Sequence, residues 1–290
     1  MIKERMTELA ARTDARLAEL FRVKEPKLLW DSMYYSVKAG GKRLRPVLNF
    51  LAAELIGADP AETLDIACAI EMIHTYSLIH DDLPALDNDT LRRGNPTNHV
   101  VYGEAQAILA GDGLLSYAFE TMLANAMKYD AKRHLRAVSR VAAAAGAHGM
   151  VAGQVLDVAL EGKGVTEDQL IFIHNHKTAD MIVGALLSGL ELGDPTAEQL
   201  AAVERYGRGI GLVFQIVDDV LDVIADESLG KTTGKDAAAA KTTYASKYGI
   251  EGAMKLAAEE NEKAKAALDI FGEAADELKE LADLMLKRRK

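Results

Sequence analysis

Cysteine is nearly missing from this chain of 290 residues, where Cys68 stands alone. One thiol makes neither an intramolecular disulfide nor a cysteine-built zinc site, and such usage fits a reducing compartment. Only 6 prolines and 23 glycines occur, and nowhere do they gather into a linker that would divide the chain. No run of eighteen or more uncharged apolar residues is present, so no membrane span is expected. The opening Met-Ile-Lys-Glu-Arg lacks the apolar stretch of a signal peptide. Positive charge is in deficit, with 44 acidic against 34 basic side chains and a net charge of −10. Such a chain does not draw nucleic acid by its overall field, and no basic stretch with interleaved aromatics does so locally. What remains, with 49% of residues apolar, is a globular chain expected in the cytoplasm.

Strict alternation of apolar and polar residues is absent as well, so no sheet is expected. Apolar residues instead recur at helical spacing in 64–79 (Leu64, Ala67, Cys68, Met72, Tyr76, Ile79), in 167–192 and in 198–224. Asp59-Pro60-Ala61-Glu62 and Thr166-Glu167-Asp168-Gln169 read as helix starts, and Asp194-Pro195-Thr196 stands before a third. Gly57, Gly193 and Gly272 read as stops. The expectation is one all-α domain over residues 1–290 with at least eight helices, several above twenty residues. Segments 140–160 and 181–192, rich in Ala and Gly, admit two readings, a dimer interface or a helix buried centrally in a monomer. The charged, amphipathic segment from Asn261 reads as an outer helical hairpin.

Two acidic clusters end or nearly end long apolar helices. In His80-Asp81-Asp82-Leu83-Pro84-Ala85-Leu86-Asp87-Asn88-Asp89, Pro84 breaks the helix. On an unbroken helix Asp81 and Asp87 would stand about 120° apart, whereas the break lets them converge. The second cluster, Asp218-Asp219-Val220-Leu221-Asp222, puts Asp218 and Asp222 one turn apart on one face. Carboxylates near a helix C-terminus oppose the macrodipole and repel one another, so each cluster costs stability unless a cation sits there. Hard oxygen ligands without Cys or a His-x-x-x-His pair suit Mg²⁺, which keeps several waters and completes its shell with substrate phosphate. Either cluster alone reads equally well as a solvated acidic helix end. Two matching clusters weaken that reading.

Cations are grouped beside them. Gly40-Gly41-Lys42-Arg43-Leu44-Arg45-Pro46 places three in a flexible turn, Arg92-Arg93-Gly94 follows the first acidic cluster, Lys231 and Lys235 follow the second, and Lys177-Thr178 lies in an apolar helix. Arg forks and Lys point charges bind phosphate oxygens, which implies a diphosphate substrate. For Arg43 and Lys235, phosphate binding and an ordinary salt bridge stand level. Ala225-Asp226-Glu227-Ser228-Leu229-Gly230-Lys231-Thr232 is near a Walker A loop but lacks its first glycine, carries two acids and is followed by Gly234, so a P-loop is rejected. His80-Asp81 also matches the His-Asp pair of helical metal-dependent phosphohydrolases, which would need further histidine ligands.

With these residues assembled, the sequence resembles the short-chain trans-prenyl diphosphate synthases, most nearly those of the bacterial farnesyl diphosphate type. The resemblance spans nearly the whole chain. It rests on Gly-Gly-Lys-Arg-Leu-Arg-Pro (40–46), Ile-His-Thr-Tyr-Ser-Leu-Ile-His-Asp-Asp-Leu-Pro (73–84), Leu-Arg-Arg-Gly (91–94), Gly-Gln-Val-Leu-Asp (153–157), His-Lys-Thr (176–178), Phe-Gln-Ile-Val-Asp-Asp-Val-Leu-Asp (214–222) and Leu-Gly-Lys (229–231), in that order. It implies a homodimeric, antiparallel helical bundle around a deep central cavity. It further implies that Asp81 and Asp87, with Asp82 nearby, hold two Mg²⁺ ions on an allylic diphosphate, and that Asp218, supported by Asp222, holds a third.

Arg92, Lys177 and Lys231 would contact the allylic diphosphate. Lys42, Arg45, His74 and Arg93 would bind the diphosphate of isopentenyl diphosphate. Thr178, Gln215 and Gln154 would line the space where carbocation charge develops, and Tyr76, with Ser77 beside it, would form the floor that sets a fifteen-carbon product. A twenty-carbon product stays open because Ser77 is small. Thr90 departs from the aspartate, and Ala245 from the proline, that many members carry. The end, Lys287-Arg288-Arg289-Lys290, is expected to be a frayed, solvated helix end, the alternative being that it reaches over the isopentenyl diphosphate site as basic termini do in some members. Competing readings are the phosphohydrolase, a terpene cyclase, disfavoured because Asp218, Asp219 and Asp222 keep the transferase form, and a non-catalytic scaffold, disfavoured because both acidic clusters are intact.

Overall fold

Several helix starts fall where a side chain accepts one of the first free N–H groups. Asp59 accepts from the Ala61 N–H at 2.8 Å ahead of Pro60, Thr166 and Gln169 close a reciprocal capping box, and Thr196 and Gln199 close another. Each cap satisfies donors that would otherwise face only water, worth about 1 kcal/mol. The computed structural model describes residues 1–22, 24–229 and 243–288. Lys231, Lys235, Arg289 and Lys290 lie outside the described residues.

The elements run α1 (Ile2–Leu20), α2 (Lys27–Val37), α3 (Leu44–Glu54), α4 (Pro60–Asp81), β1 (Leu91–Arg92), β2 (Asn95–Pro96), α5 (Asn98–Tyr102), α6 (Glu104–Ala126) and α7 (Ala131–Ala145). They continue with α8 (Met150–Leu160), α9 (Glu167–Ile173), a π-helical turn (His174–Ala179), α10 (Asp180–Leu190), α11 (Ala197–Leu229), α12 (Tyr244–Ala267) and α13 (Asp276–Leu286), with 3₁₀ turns at Glu191–Gly193 and Asp269–Ala275. The all-helical expectation holds, with one correction. A sheet was not expected, yet β1 and β2 pair antiparallel, Leu91 with Pro96 and Arg92 with Asn95. Two-residue strands are too short for alternation to register.

The chain divides into two compact units, Met1–Arg140 with Ser188–Asp194, and Val141–Leu187 with Pro195–Lys290. In the first, α4 packs on α3 and α6, burying Val47, Leu48, Phe50, Ile66, Ile70, Met72, Ile73, Leu114 and Met122. A buried polar knot within it joins Thr63, Asn49 and Ser188, the Asn49 amide donating to Ser188 at 2.9 Å. In the second, Leu170 of α9, Val213, Ile216, Val217 and Val220 of α11, and Tyr244, Ala245, Ala253 and Ala257 of α12 form the core.

Two apolar segments separate here. Residues 181–192 are core, with Met181, Ile182, Val183, Ala185, Leu186, Leu187, Leu190 and Leu192 all buried. On α8, by contrast, Val151, Val155 (64% exposed) and Val158 line an outer face at i, i+4, i+7 spacing. A window within 131–160 reaches the mean hydropathy of a membrane span. The chain breaks that window into helices of 15 and 11 residues, about 22 and 16 Å long against a hydrocarbon core of about 30 Å.

Gly189 shows how tightly the first unit packs. A Cβ there would lie 2.2 Å from the Asn49 carbonyl oxygen, while one at Gly164 would meet nothing within 4 Å. Gly189→Ala is expected to lower the unfolding free energy by about 1–3 kcal/mol and Gly164→Ala to leave it within about 0.5 kcal/mol, as read by urea denaturation.

Candidate active site

The first unit gathers cations at the start of α3. Gly40 (φ 82°) and Gly41 (φ 136°) turn the chain, and Arg43 enters the left-handed region at φ 47°. Its guanidinium faces inward, donating to Asp14 at 2.8 Å, to Glu71 at 2.7 Å and to the Val37 carbonyl at 2.7 Å. Burial works against its charge, and Glu71 and Asp14 more than offset this, so its pKa is raised. Arg43 is therefore a structural ion pair, and the neighbouring Lys42 is exposed. Arg45, one helix step on, is different. Its Nε is buried without a hydrogen-bond partner, and burial, aided by the charge of Arg93, lowers its pKa despite Glu71.

Arg93 and Gly94, at φ 53° and 78°, form the two-residue loop between β1 and β2. Positive φ at both positions is the primed-turn geometry that matches strand twist. The Arg93 side chain donates to the Gly40 carbonyl and lies where a Cβ on Gly41 would be, 2.7 Å from its carbon Cζ, so a side chain at residue 41 would push the guanidinium aside. His74 completes the group. Burial first, then the charges of Arg45, Arg93, Arg43 and Arg92, hold its pKa well below the ordinary value, so the imidazole is neutral at pH 7.

At the end of α4 the break expected from Pro84 is present. The Asp87 N–H donates to the Asp81 carbonyl at 2.8 Å, the Asn88 N–H to the Leu83 carbonyl at 3.1 Å, and the Asp89 N–H to the Asp82 carbonyl at 3.1 Å. The loop thus folds back and sets residues 81 and 87 side by side along the backbone. Asp82 is 3% exposed and receives Nε and Nη2 of Arg92 at 2.8 and 2.5 Å. Burial raises its pKa, and the Arg92 bonds oppose this. Among the described residues no three His, Cys, Asp or Glu side chains form a ready-made metal cage. Two oxygen donors without nitrogen or sulfur fit Mg²⁺, which takes one or two carboxylates and fills its shell with water and phosphate.

His80 points elsewhere. Its Nε2 lies 3.1 Å from the Ile108 carbonyl and the ring fills the space over Gly111 of α6, which engages one of the two ring nitrogens that could ligate a metal. Tyr76, 7% exposed, stacks edge-on against His80 at 5.7 Å, and Ser77 Oγ donates to the His74 carbonyl at 2.9 Å.

The second unit holds a pocket of about 220 Å³, whose lining includes Asp157, His174, Lys177, Thr178, Gln215, Asp219 and the apolar Val165, Leu170 and Ile173. The π-helical turn His174–Ala179 presents Lys177 and Thr178 to it, a departure that often marks function. Gly153 of α8 permits this, because a Cβ there would sit 2.2 Å from the Lys177 backbone nitrogen. Lys177 bonds Asp157 at 2.6 Å, and the Thr178 hydroxyl donates to Gln215 Oε1 at 3.3 Å. His174 is held at a pKa of about 4 by burial, with a Gln215 hydrogen bond acting the other way. Gln154, expected to line this space, is on α8 but does not line the pocket.

The second acidic cluster lies two turns inside α11, which runs on to Leu229, not near the helix end as expected. The macrodipole argument therefore applies to the first cluster only. Asp218 is paired instead. The Arg288 guanidinium forms an ion pair with it, donates to the Phe214 carbonyl at 2.7 Å and covers the Phe214 ring at 4.0 Å. The expectation of a frayed, solvated end is corrected at this residue. Asp222, one turn on, is exposed.

Comparison with known proteins decides the family. The polyprenyl synthetase family profile matches residues 26–285. The chain belongs to the polyprenyl synthetase family. It is 47% identical over 268 residues to a chloroplastic geranylgeranyl pyrophosphate synthase of Capsicum annuum, covering 92% of this chain and 73% of that one. It is also 47% identical over 262 residues to a farnesyl diphosphate synthase of Geobacillus stearothermophilus, covering 87% of each. The crystal structure of an FPP/GFPP synthase from Zymomonas mobilis superposes with a TM-score of 0.89 at 35% identity over 98% of both chains.

Within this family member, sequence reasoning missed Glu71, His174 and Arg288. Glu71 looks like one more polar position in an apolar helix; only its burial at 2% reveals it.

Two outcomes follow. Gly153→Ala, which pushes the Lys177 backbone aside, is expected to lower turnover about tenfold or more with substrate affinity less affected, as read by steady-state kinetics. His174 keeps its neutral form down to about pH 4, while the unfolded chain takes up that proton near pH 6.5. Unfolding free energy should therefore fall as pH drops from about 6.5 to about 4, by up to about 1.4 kcal/mol per pH unit from this group. His174→Gln should make the loss shallower in denaturation curves across that range.

Proposed function

We propose that this protein is a short-chain prenyl diphosphate synthase that condenses isopentenyl diphosphate with dimethylallyl and then geranyl diphosphate to give farnesyl diphosphate. The observation that carries this reading is the pairing of two features in the first unit. One is the backbone closure that joins Asp81 to Asp87, and the other is the arginine cluster with the unpartnered Nε of Arg45.

Arg45, Arg93, Lys42 and neutral His74 bind the isopentenyl diphosphate, Arg45 gaining for its buried Nε the acceptor it lacks. Asp81 and Asp87 would hold Mg²⁺ at the allylic diphosphate and Asp218 with Asp222 a further ion, Asp82 serving beside them as the partner of Arg92. Bound there, Mg²⁺ supplies positive charge for the departing diphosphate. The family resemblance would assign Arg92, Lys177 and Lys231, the last outside the described residues, to that diphosphate. When the allylic C–O bond breaks, Thr178 and Gln215 turn oxygen dipoles toward the cation, and the apolar wall of Val165, Leu170 and Ile173 keeps out water that would quench it. The isopentenyl double bond then forms the new C–C bond, and the proton it loses passes to the released diphosphate.

Relatives that make fifteen- and twenty-carbon products are equally similar, so the product length is argued from Tyr76, about 7–8 Å down α4 from Asp81 at 1.5 Å per residue. Purified protein with Mg²⁺, isopentenyl diphosphate and dimethylallyl diphosphate should yield the fifteen-carbon alcohol after dephosphorylation, identified by mass. Asp81→Asn should reduce turnover by about a hundredfold or more, and Tyr76→Ala should lengthen the product. A twenty-carbon product from the native protein would remove Tyr76 as the floor. Hydrolysis of one substrate without condensation would sink the transferase reading.

The exposed Val151, Val155 and Val158 face is the surface we assign to a second copy of the chain in a homodimer. Val155→Glu should shift sedimentation from dimer to monomer.

A further inference from the structure

We propose that Asp219 is a positioning residue whose carboxylate sets the amide of Gln215, so that the Gln215 carbonyl oxygen is the atom turned toward Thr178 and the pocket. The inference rests on the prenyltransferase reading above and adds to it how the dipole at Gln215 receives its sign.

Asp219 stands between Asp218 and Asp222 in sequence but not on their face. It is four residues after Gln215 on α11, one turn along the same side, and is 3% exposed. Its Oδ1 accepts from Gln215 Nε2 at 2.9 Å, and its Oδ2 accepts from the Tyr244 backbone N–H, at the start of α12, at 2.8 Å. An ionised carboxylate only accepts. Gln215 must therefore spend its NH₂ on Asp219, which leaves Oε1 on the opposite side, where the Thr178 hydroxyl donates to it at 3.3 Å. The two ends of a glutamine amide have nearly the same shape, so packing alone does not choose between them. Turned the other way, the amide would aim N–H dipoles at a developing cation and raise the barrier it should lower. The second acidic cluster thus splits by role, with Asp218 and Asp222 one turn apart on one face and Asp219 directed at the polar wall of the pocket.

The test is Asp219→Asn, which keeps the shape but lets residue 219 donate as well as accept. Turnover is expected to fall tenfold to a hundredfold, with the KM for isopentenyl diphosphate and the Mg²⁺ concentration for half-maximal rate each within twofold of the native values. The share of prenyl alcohol, from cation captured by water, should rise. In a Gln215→Leu background, Asp219→Asn should cost less than twofold more, and Asp219→Glu, which keeps an acceptor, should recover part of the rate.

A second readout needs no catalysis. In ¹⁵N spectra the side-chain amide of Gln215, one of five glutamines, should exchange slowly in the native protein and at free-amide rates in Asp219→Asn. A raised Mg²⁺ requirement, losses that multiply in the double variant, or a Gln215 amide unchanged by Asp219→Asn would each overturn the proposal. Free-amide exchange in the native protein would do so even if the variant failed to fold. Absence of condensation by the native protein would instead defeat the function proposed above, and the exchange measurement would still judge Asp219.

Discussion

The carboxylate of Glu71 is what allows the first unit to keep its arginines. Moving a guanidinium out of water costs several kcal/mol unless a countercharge with good geometry accompanies it. Glu71 meets Arg43 at 2.7 Å and supports the charges of Arg45 and Arg93 through space. Arg43 in turn reaches Asp14 of α1 and the last residue of α2, so four helices are registered on one ion pair. Arg45 keeps a buried Nε that no acceptor in the described residues meets, and an anion placed there would supply one.

Departures from regular helix supply the rest of the chemistry, and each has a local cause. Pro84 ends α4, and the freed backbone is satisfied by the Asp87, Asn88 and Asp89 N–H groups folding back. Arg93 and Gly94 accept positive φ, which costs an L-residue about 1–2 kcal/mol and directs the Arg93 side chain over Gly41. The π-helical turn displaces Lys177 and Thr178 from the register of a plain α-helix, and it is accommodated because α8 offers Gly153 at the point of approach. Strain and missing side chains are thus concentrated where groups must converge.

Much of this was legible in the sequence because it is local. Caps, the Pro84 break, the i, i+4 relation of Asp218 and Asp222, and the glycine turn before α3 are all fixed by residues within a few positions of each other. Less legible was whatever depends on a distant partner. Arg43 could not be told from a phosphate ligand without Glu71 and Asp14, and His80 could not be released from the His-Asp reading without Ile108 and Gly111. The two-residue strands carry no periodicity at all. The length of α11 was misjudged because apolar periodicity weakens after Ile224, while helix propensity carries the backbone to Leu229.

The two acidic clusters, so alike as text, solve the same electrostatic problem by different means. In the first, the helix ends and the turn spreads the charge, with Asp82 neutralised by Arg92. The second has no such outlet, since α11 continues. There the charge is met by the Arg288 side chain at Asp218, and at Asp219 by the Gln215 amide one turn back on the same helix and the Tyr244 backbone N–H. An aspartate tied to backbone and amide N–H groups is a poor candidate for a metal, and one paired with a guanidinium is a better one, because a divalent cation competes directly with a guanidinium for the same oxygen. The partners of each carboxylate, more than its place in the motif, sort ligand from support.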